Sequence, residues 1–241
     1  MPTNTLARPG YCLEYLNSDA DLPAVIQGLQ RRARGCFCFY GPPGTGKSEL
    51  ARHIADQIGK PFLLKRASDL MDKYLGETEK QIAAMFAHAQ RQGAVLVLDE
   101  ADSFLADRRD AHRSWEVTQV NELLTQMEAF DGLFICTTNL MEKLDPATLR
   151  RFAFKVRLDP LTSEQRWSMF HREVVRLGGD PVSAHHWEER VRGLGTLTPG
   201  DFAVAARQFE LLDLSPTPDS LYRTLLKECA AKGETARKIG F

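Results

Sequence analysis

The chain has 241 residues, 43% hydrophobic and 26% charged, which describes a globular protein with enough apolar material for a core and excludes a disordered chain. A formal net charge of −1 excludes bulk attraction to nucleic acid or anionic membrane as the basis of function. No apolar run approaches the roughly 20 residues of a membrane helix, and M-P-T-N-T-L-A-R-P-G lacks the apolar stretch of a secretory leader. The expected setting is cytoplasmic, with no membrane partner.

Five apolar runs read as strands in chain order: C-F-C-F-Y (36–40), P-F-L-L-K-R (61–66), A-V-L-V-L-D (94–99), G-L-F-I-C-T-T (132–138) and F-A-F-K-V-R-L (152–158). The middle runs are apolar on both faces, as strands inside a parallel sheet must be. Helical patterns separate them over Glu49–Ile58, Thr78–Gln90 and Ser114–Phe130. In the last, Val117, Val120, Leu124 and Met127 form an apolar stripe. Alternating strand and helix predicts an α/β fold whose sheet is covered on both faces. After Leu158 the pattern changes to helices alone, over 163–177, 184–192, 199–212 and 218–231, with a capping signal at Thr162 or Ser163. The expected domains are therefore residues 10–158, α/β, and residues 159–241, all helical.

The five cysteines, Cys12, Cys36, Cys38, Cys136 and Cys229, form no metal-ligand spacing and no disulfide framework, and read as reduced core residues. His185-His186-Trp187 reads as helix surface, and A-D-R-R-D-A-H-R-S-W (106–115) as a solvated loop.

Gly41-Pro42-Pro43-Gly44-Thr45-Gly46-Lys47-Ser48 satisfies G-x-x-x-x-G-K-[ST] between a strand and the helix entered at Glu49. Glycines allow the backbone to turn several N–H groups inward toward phosphate oxygens, and the following helix adds its positive end. Lys47 brings a charge to the β- and γ-phosphates and Ser48 a hydroxyl to Mg²⁺, so the stretch predicts a nucleoside triphosphate site. V-L-V-L-D-E (95–100) ends a buried strand in two carboxylates. Parallel strands present their carboxyl ends to one edge, which puts Asp99 and Glu100 beside the loop. Asp99 is the expected Mg²⁺ partner, and Glu100 the group that orients and deprotonates the attacking water.

The phosphate loop, the V-L-V-L-D-E-A-D strand end, T-T-N at 137–139 and L-D-P-A-T-L-R-R-F at 144–152 occur together and in order. Over residues 35–212 the chain resembles the AAA+ ATPase module, most closely the branch containing FtsH, katanin and spastin. The resemblance implies a P-loop NTPase fold with a small helical lid, ATP and Mg²⁺ as cofactors, and hydrolysis coupled to remodelling of a macromolecule. It implies that Asn139 is the sensor that helps place the water. Arg150 and Arg151 match the arginine fingers that reach nucleotide in a neighbouring subunit, so a homo-oligomer is expected, a hexamer when ATP is bound. In the lid, T-P-G-D-F (198–202) places Gly200 and Asp201 where this branch has a Gly-Ala-Asp-like motif in place of a sensor arginine. M-D-K-Y-L-G-E-T-E (71–79) resembles the first pore loop, with Tyr74 and Leu75 gripping an extended polypeptide and Gly76 permitting the turn; packing of Tyr74 in a core is the alternative.

The segment ahead of the loop, 16–29, is short for an adenine pocket wall, and no substrate-recruiting domain precedes it. A fragment of a longer protein, or recruitment by an adaptor, is expected. The leading function is an ATP-driven protein remodeller. A DNA loader or translocase and an ATP-dependent scaffold are the competing readings. The Tyr-Leu-Gly loop, the missing sensor arginine and the balanced charge argue against nucleic acid.

Overall fold

A computed structural model of the protein describes residues 11–72, 74, 76–103, 105, 114–180, 182 and 185–238. The chain divides into two compact units. Residues 18–158 form one; residues from Asp159 onward, with the segment ending at Asn17, form the other.

The sheet has six strands: β1 (Asn17–Ser18), β2 (Gly35–Tyr40), β3 (Phe62–Arg66), β4 (Val95–Asp99), β5 (Leu133–Thr138) and β6 (Phe154–Asp159), in the order β1-β6-β2-β5-β4-β3. The pairs β6–β2, β2–β5, β5–β4 and β4–β3 are all parallel. The helices of this unit are α1 (Leu22–Arg31), α2 (Lys47–Gln57), α3 (Glu77–Gln92), α4 (Ser114–Ala129) and α5 (Pro146–Arg151).

Side-chain alternation explains why the central strands are apolar throughout. Cys38, Leu96, Leu98, Phe134 and Cys136 share one buried cluster with Ile82, Met85 and Phe86 of α3 and Leu123, Leu124 and Met127 of α4. Their neighbours Phe37, Phe39, Val95, Val97, Leu133 and Ile135 are also buried but stand outside that cluster, on the opposite face. There α2, with Leu50, Ala51 and Ile54 fully buried, packs against β3, β4 and β5. Both faces are therefore dry. The register then fixes the site: Tyr40 pairs with Thr138 and Leu98 with Cys136, so β2, β5 and β4 finish at one edge.

Two helices carry no expectation from periodicity. Asp21 caps α1 by accepting from Ala24 N at 3.0 Å, and Leu22, Ile26 and Leu29 bury one stripe. The six-residue α5 begins at Pro146 behind Asp145, whose Oδ1 accepts from Ala147 N at 2.8 Å and Thr148 N at 3.3 Å.

The second unit contains α6 (Ser163–Arg176), α7 (His185–Arg192), α8 (Pro199–Leu211) and α9 (Pro218–Lys238). Thr162 and Gln165 form the capping box of α6. Phe170, Val174, Val191, Leu197, Phe202, Leu221 and Leu225 make its core. Residues 11–17 group with these helices rather than with the sheet unit, where the sequence expectation put them. Tyr15 packs on this core, Arg172 lies 4.1 Å over its ring, and Gln165 Nε2 donates to Glu14 O and Leu16 O at 2.8 and 3.1 Å. These contacts join positions about 150 apart in sequence, so no local pattern marks them.

Candidate functional site

The loop after β2 needs glycine for two different reasons. At Gly41, φ is +135°, and a Cβ would stand 1.9 Å from the Leu158 carbonyl oxygen, so backbone approaches too closely for any side chain. Gly44 and Gly46 have φ of +80° and +95°, which glycine adopts without strain. Pro42 and Pro43 are exposed at the tip, and the buried Thr45 closes the loop by donating its hydroxyl to Pro42 O at 2.9 Å. Helix α2 starts at Lys47, so its first amides and positive dipole end lie at the loop. Glu49, in the first turn, reaches toward Arg52 at 3.8 Å.

Lys47 is only 8% exposed, and its Nζ donates to Gly41 O and Pro42 O at 2.8 Å each. Burial pushes its pKa down to about 8, against the opposing pull of the Asp99 and Asp102 charges. Ser48 Oγ donates to Asp99 Oδ1 at 2.8 Å, so the hydroxyl and carboxylate from the two motifs stand side by side.

The end of β5 braces the end of β4. Thr137 Oγ1 donates to the same Asp99 Oδ1, and Glu100 N donates to Thr137 Oγ1 at 3.3 Å. Glu100 is exposed and sits at φ +56°, a conformation a glutamate holds only when its surroundings impose it. Asn139 follows Thr138 directly and is exposed at the same edge. Thr137, Thr138 and Asp102 are partners that sequence reasoning passed over. Their signal is two adjacent hydroxyl residues ending an otherwise apolar strand.

These residues fit a nucleoside triphosphate with Mg²⁺. The loop turns through glycines at positive φ into the first amides of α2, Lys47 supplies a desolvated cation, and Ser48 with Asp99 offers two hard oxygens. Mg²⁺ characteristically takes one or two protein oxygens and completes its octahedron with phosphate and water. Among the described residues no group of three or more His, Cys, Asp and Glu forms an all-protein metal cage.

The two arginines of α5 differ. Arg151 Nε lies 2.6 Å from Glu128 Oε1 of α4, and its Nη1 donates to Ala147 O at 3.4 Å. Arg150 is exposed and has no charge or hydrogen-bond partner among the described residues.

Tyr74 is 64% exposed, which removes it from the core. Asp72 braces its turn: Oδ1 accepts from Tyr74 N at 3.0 Å, while Asp72 N donates to Thr78 Oγ1 at 3.0 Å. Gly76, at φ +84° with open space around it, is required for conformation and not for close packing. Leu75 lies outside the described residues, as do residues 106–113.

In the helical unit, Gly200 is the second residue of α8 and Asp201 the third. Asp201 is buried, and its Oδ2 accepts from Thr198 N at 2.6 Å, Thr198 Oγ1 at 2.9 Å and Lys232 Nζ at 2.5 Å. Its carboxylate is engaged in capping α8 and tying down α9.

Residues 37–160 match the model of the ATPase family associated with various cellular activities (AAA). Spastin from Drosophila melanogaster is 32% identical over 186 residues, covering 74% of this chain and 24% of its own length. Spastin from Drosophila persimilis is 31% identical over 186 residues, with 74% and 23% covered. The chain thus spans about a quarter of the length of these curated relatives. A chain of the E. coli MS115-1 HORMA:CdnC:Trip13 complex shares the fold, with a TM-score of 0.66 at 22% identity over 87% of this chain and 78% of that one. The family match runs from within β2 through the last residue of β6, across every braced residue of the sheet edge, and the chain belongs to the AAA family of ATPases.

Proposed function

We propose that this ATPase module works in a homo-oligomeric ring, a hexamer when ATP is bound, and couples hydrolysis to pulling on a protein substrate. The observation that carries the chemistry is the convergence of Lys47, the Ser48–Asp99 pair, Glu100 and Asn139 on one sheet edge. The loop amides and Lys47 hold the β- and γ-phosphates; phosphate oxygens are stronger acceptors than the Gly41 and Pro42 carbonyls for the same ammonium. Ser48 and Asp99 would hold Mg²⁺, which when bound would neutralise charge on the phosphates. Glu100 orients a water and takes its proton as the oxygen adds to the γ-phosphorus. The bond from that phosphorus to the bridging oxygen breaks, and ADP leaves with the electron pair. Asn139 places the same water.

Arg150 acts in trans, on nucleotide bound to the neighbouring subunit. Its exposure, with no charge or hydrogen-bond partner among the described residues, supports this, whereas Arg151 is held by Glu128. Gly200 and Asp201 enter as the fixed start of α8 in the lid. Tyr74, with Leu75 and Gly76, contacts the protein cargo, a reading supported by its exposure. Among the described residues no helix is long and apolar enough to cross a membrane.

The test is ATP turnover and particle size measured together, with and without ATP. Turnover per subunit should rise with protein concentration until the ring is filled. A rate independent of concentration, from a proven monomer, would sink the ring mechanism.

A further inference from the structure

Strand β5 is buried along its whole length and ends in two threonines, each 1% exposed. Hydroxyls so deeply buried require partners, and these two divide between two carboxylates. Thr137 takes Asp99, and Thr138 Oγ1 donates to Asp102 Oδ1. Successive residues on a strand point to opposite faces, so the two links leave β5 on different sides.

The second link does more than satisfy a hydroxyl. Asp102 Oδ1 also accepts from Leu140 N at 3.4 Å, and Leu140 N lies 3.0 Å from Thr138 Oγ1. One carboxylate oxygen therefore touches the residue before Asn139 and the residue after it. Asn139 is the middle of this closed turn, with its own side chain exposed. Asp102 belongs to the short helical turn Ala101–Ser103, which directly follows Glu100. Through Thr137, Glu100 N is pinned to the same strand end. The two Thr–Asp links thus set Glu100 and Asn139, which come from different strands, at a fixed spacing.

We propose that Asp102, acting through Thr138, is a positioning residue for Asn139 in the hydrolytic step. The proposal rests on the reading of Asn139 given above. Asp102 touches neither water nor phosphate in this scheme. It holds the backbone that presents Asn139, so its loss costs turnover and, measured well below pH 8 where Lys47 keeps its proton without the Asp102 charge, leaves nucleotide affinity in place.

The experiment measures kcat, KM, the dissociation constant of a fluorescent ATP analogue and the thermal midpoint for Asp102→Ala, Asp102→Asn, Thr138→Val, Asn139→Ala and the Asp102→Ala/Asn139→Ala double variant. Misplacement of a water-orienting group costs up to about 10²-fold in rate, so Asp102→Ala and Thr138→Val should lower kcat by one to two orders of magnitude, with analogue affinity within a few-fold. Asp102→Asn keeps an oxygen that accepts from both donors and should retain most of kcat. The double variant should be no slower than the slower single one, because both changes remove the same placed group. Thr138→Val keeps the side-chain shape and answers the question if Asp102→Ala does not fold. Three results would overturn the proposal alone: a normal kcat in folded Asp102→Ala with a lowered one in Asn139→Ala, losses that multiply in the double variant, or kcat, affinity and midpoint falling together. A normal kcat in Asn139→Ala would overturn the reading of Asn139 and this proposal with it.

Discussion

The nucleotide edge and the Tyr74 turn lie in one α/β unit and solve opposite problems. At the edge, Lys47, Thr137 and Thr138 are withdrawn from water, and the Asp99 and Asp102 carboxylates are cross-braced to hydroxyls. At the turn, Tyr74 is exposed, and Asp72 braces the backbone by accepting from Tyr74 N. A small, highly charged ligand is bound by few groups, whose strength depends on desolvation and fixed geometry. An extended polypeptide of varying sequence, the cargo proposed for the Tyr74 turn, needs only apolar contact at a fixed place. Substitutions at the edge should therefore change chemistry, and those at the turn should change work done on cargo.

The largest effect that can break this comparison is at α5. Arg150→Ala should lower ATP turnover by about 10³–10⁵-fold, the range of trans-acting arginines, while Arg151→Ala loses an ion pair to Glu128 and falls less. Mixing Arg150→Ala with Glu100→Gln should restore some activity, because interfaces then form with an intact Glu100 on one side and an intact Arg150 on the other. Equal losses for the two arginines, with no rescue on mixing, would remove the distinction the structure draws between them.

Next in size is Glu100→Gln, which should keep ATP bound and reduce turnover about 10²–10⁴-fold. Lys47→Ala should instead weaken nucleotide binding itself. A wild-type rate in Glu100→Gln would mean that another group takes the proton.

The pH dependence is smaller and has a defined sign. In the proposed mechanism Lys47 binds phosphate as the cation, and burial holds its pKa near 8, below the usual 10.5. The value of kcat/KM for ATP should therefore fall as pH rises through about 8, since this ratio reports the free enzyme. With ATP bound, phosphate charge stabilises the ammonium, so the fall in kcat should come at higher pH. For stability the sign reverses. Between about 8 and 10.5 the unfolded chain holds a proton that the folded chain has lost, so this residue's contribution rises with pH across that window. A kcat/KM profile flat to pH 10 would show that Lys47 stays charged in the free protein.

The smallest expected change is in the stability of Tyr74→Ala, within about 0.5 kcal/mol of the parent because the side chain is exposed. Basal hydrolysis should stay within a few-fold, while unfolding of a tagged protein collapses, and Tyr74→Phe should retain most of it. If thermal midpoint and basal ATPase fell in step with unfolding, Tyr74 would belong to the folded framework and not to the cargo surface.

Local chemistry determined what could be read along the chain. Strands β4 and β5 were legible because runs of apolar residues can be satisfied only inside a covered parallel sheet, and β2, β3 and β6 because shorter apolar runs alternate with helical patterns. The place of the Gly41–Ser48 loop between strand and helix was legible because its glycines take backbone conformations that side chains disfavour, and that of Asp99 and Glu100 because they end a buried strand. Only the tertiary structure decided which partners close over long distances. It grouped residues 11–17 with the helices, set Arg151 on Glu128 while leaving Arg150 exposed, and joined Thr137 to Asp99 and Thr138 to Asp102. Helix α5, with six residues, was too short to show a period, and its start depends on a single aspartate cap. Periodicity and motif spacing report what each segment must bury or bind. They carry no information about which hydroxyl meets which carboxylate across neighbouring strands, because that pairing is set by register, and register exists only once the sheet has formed.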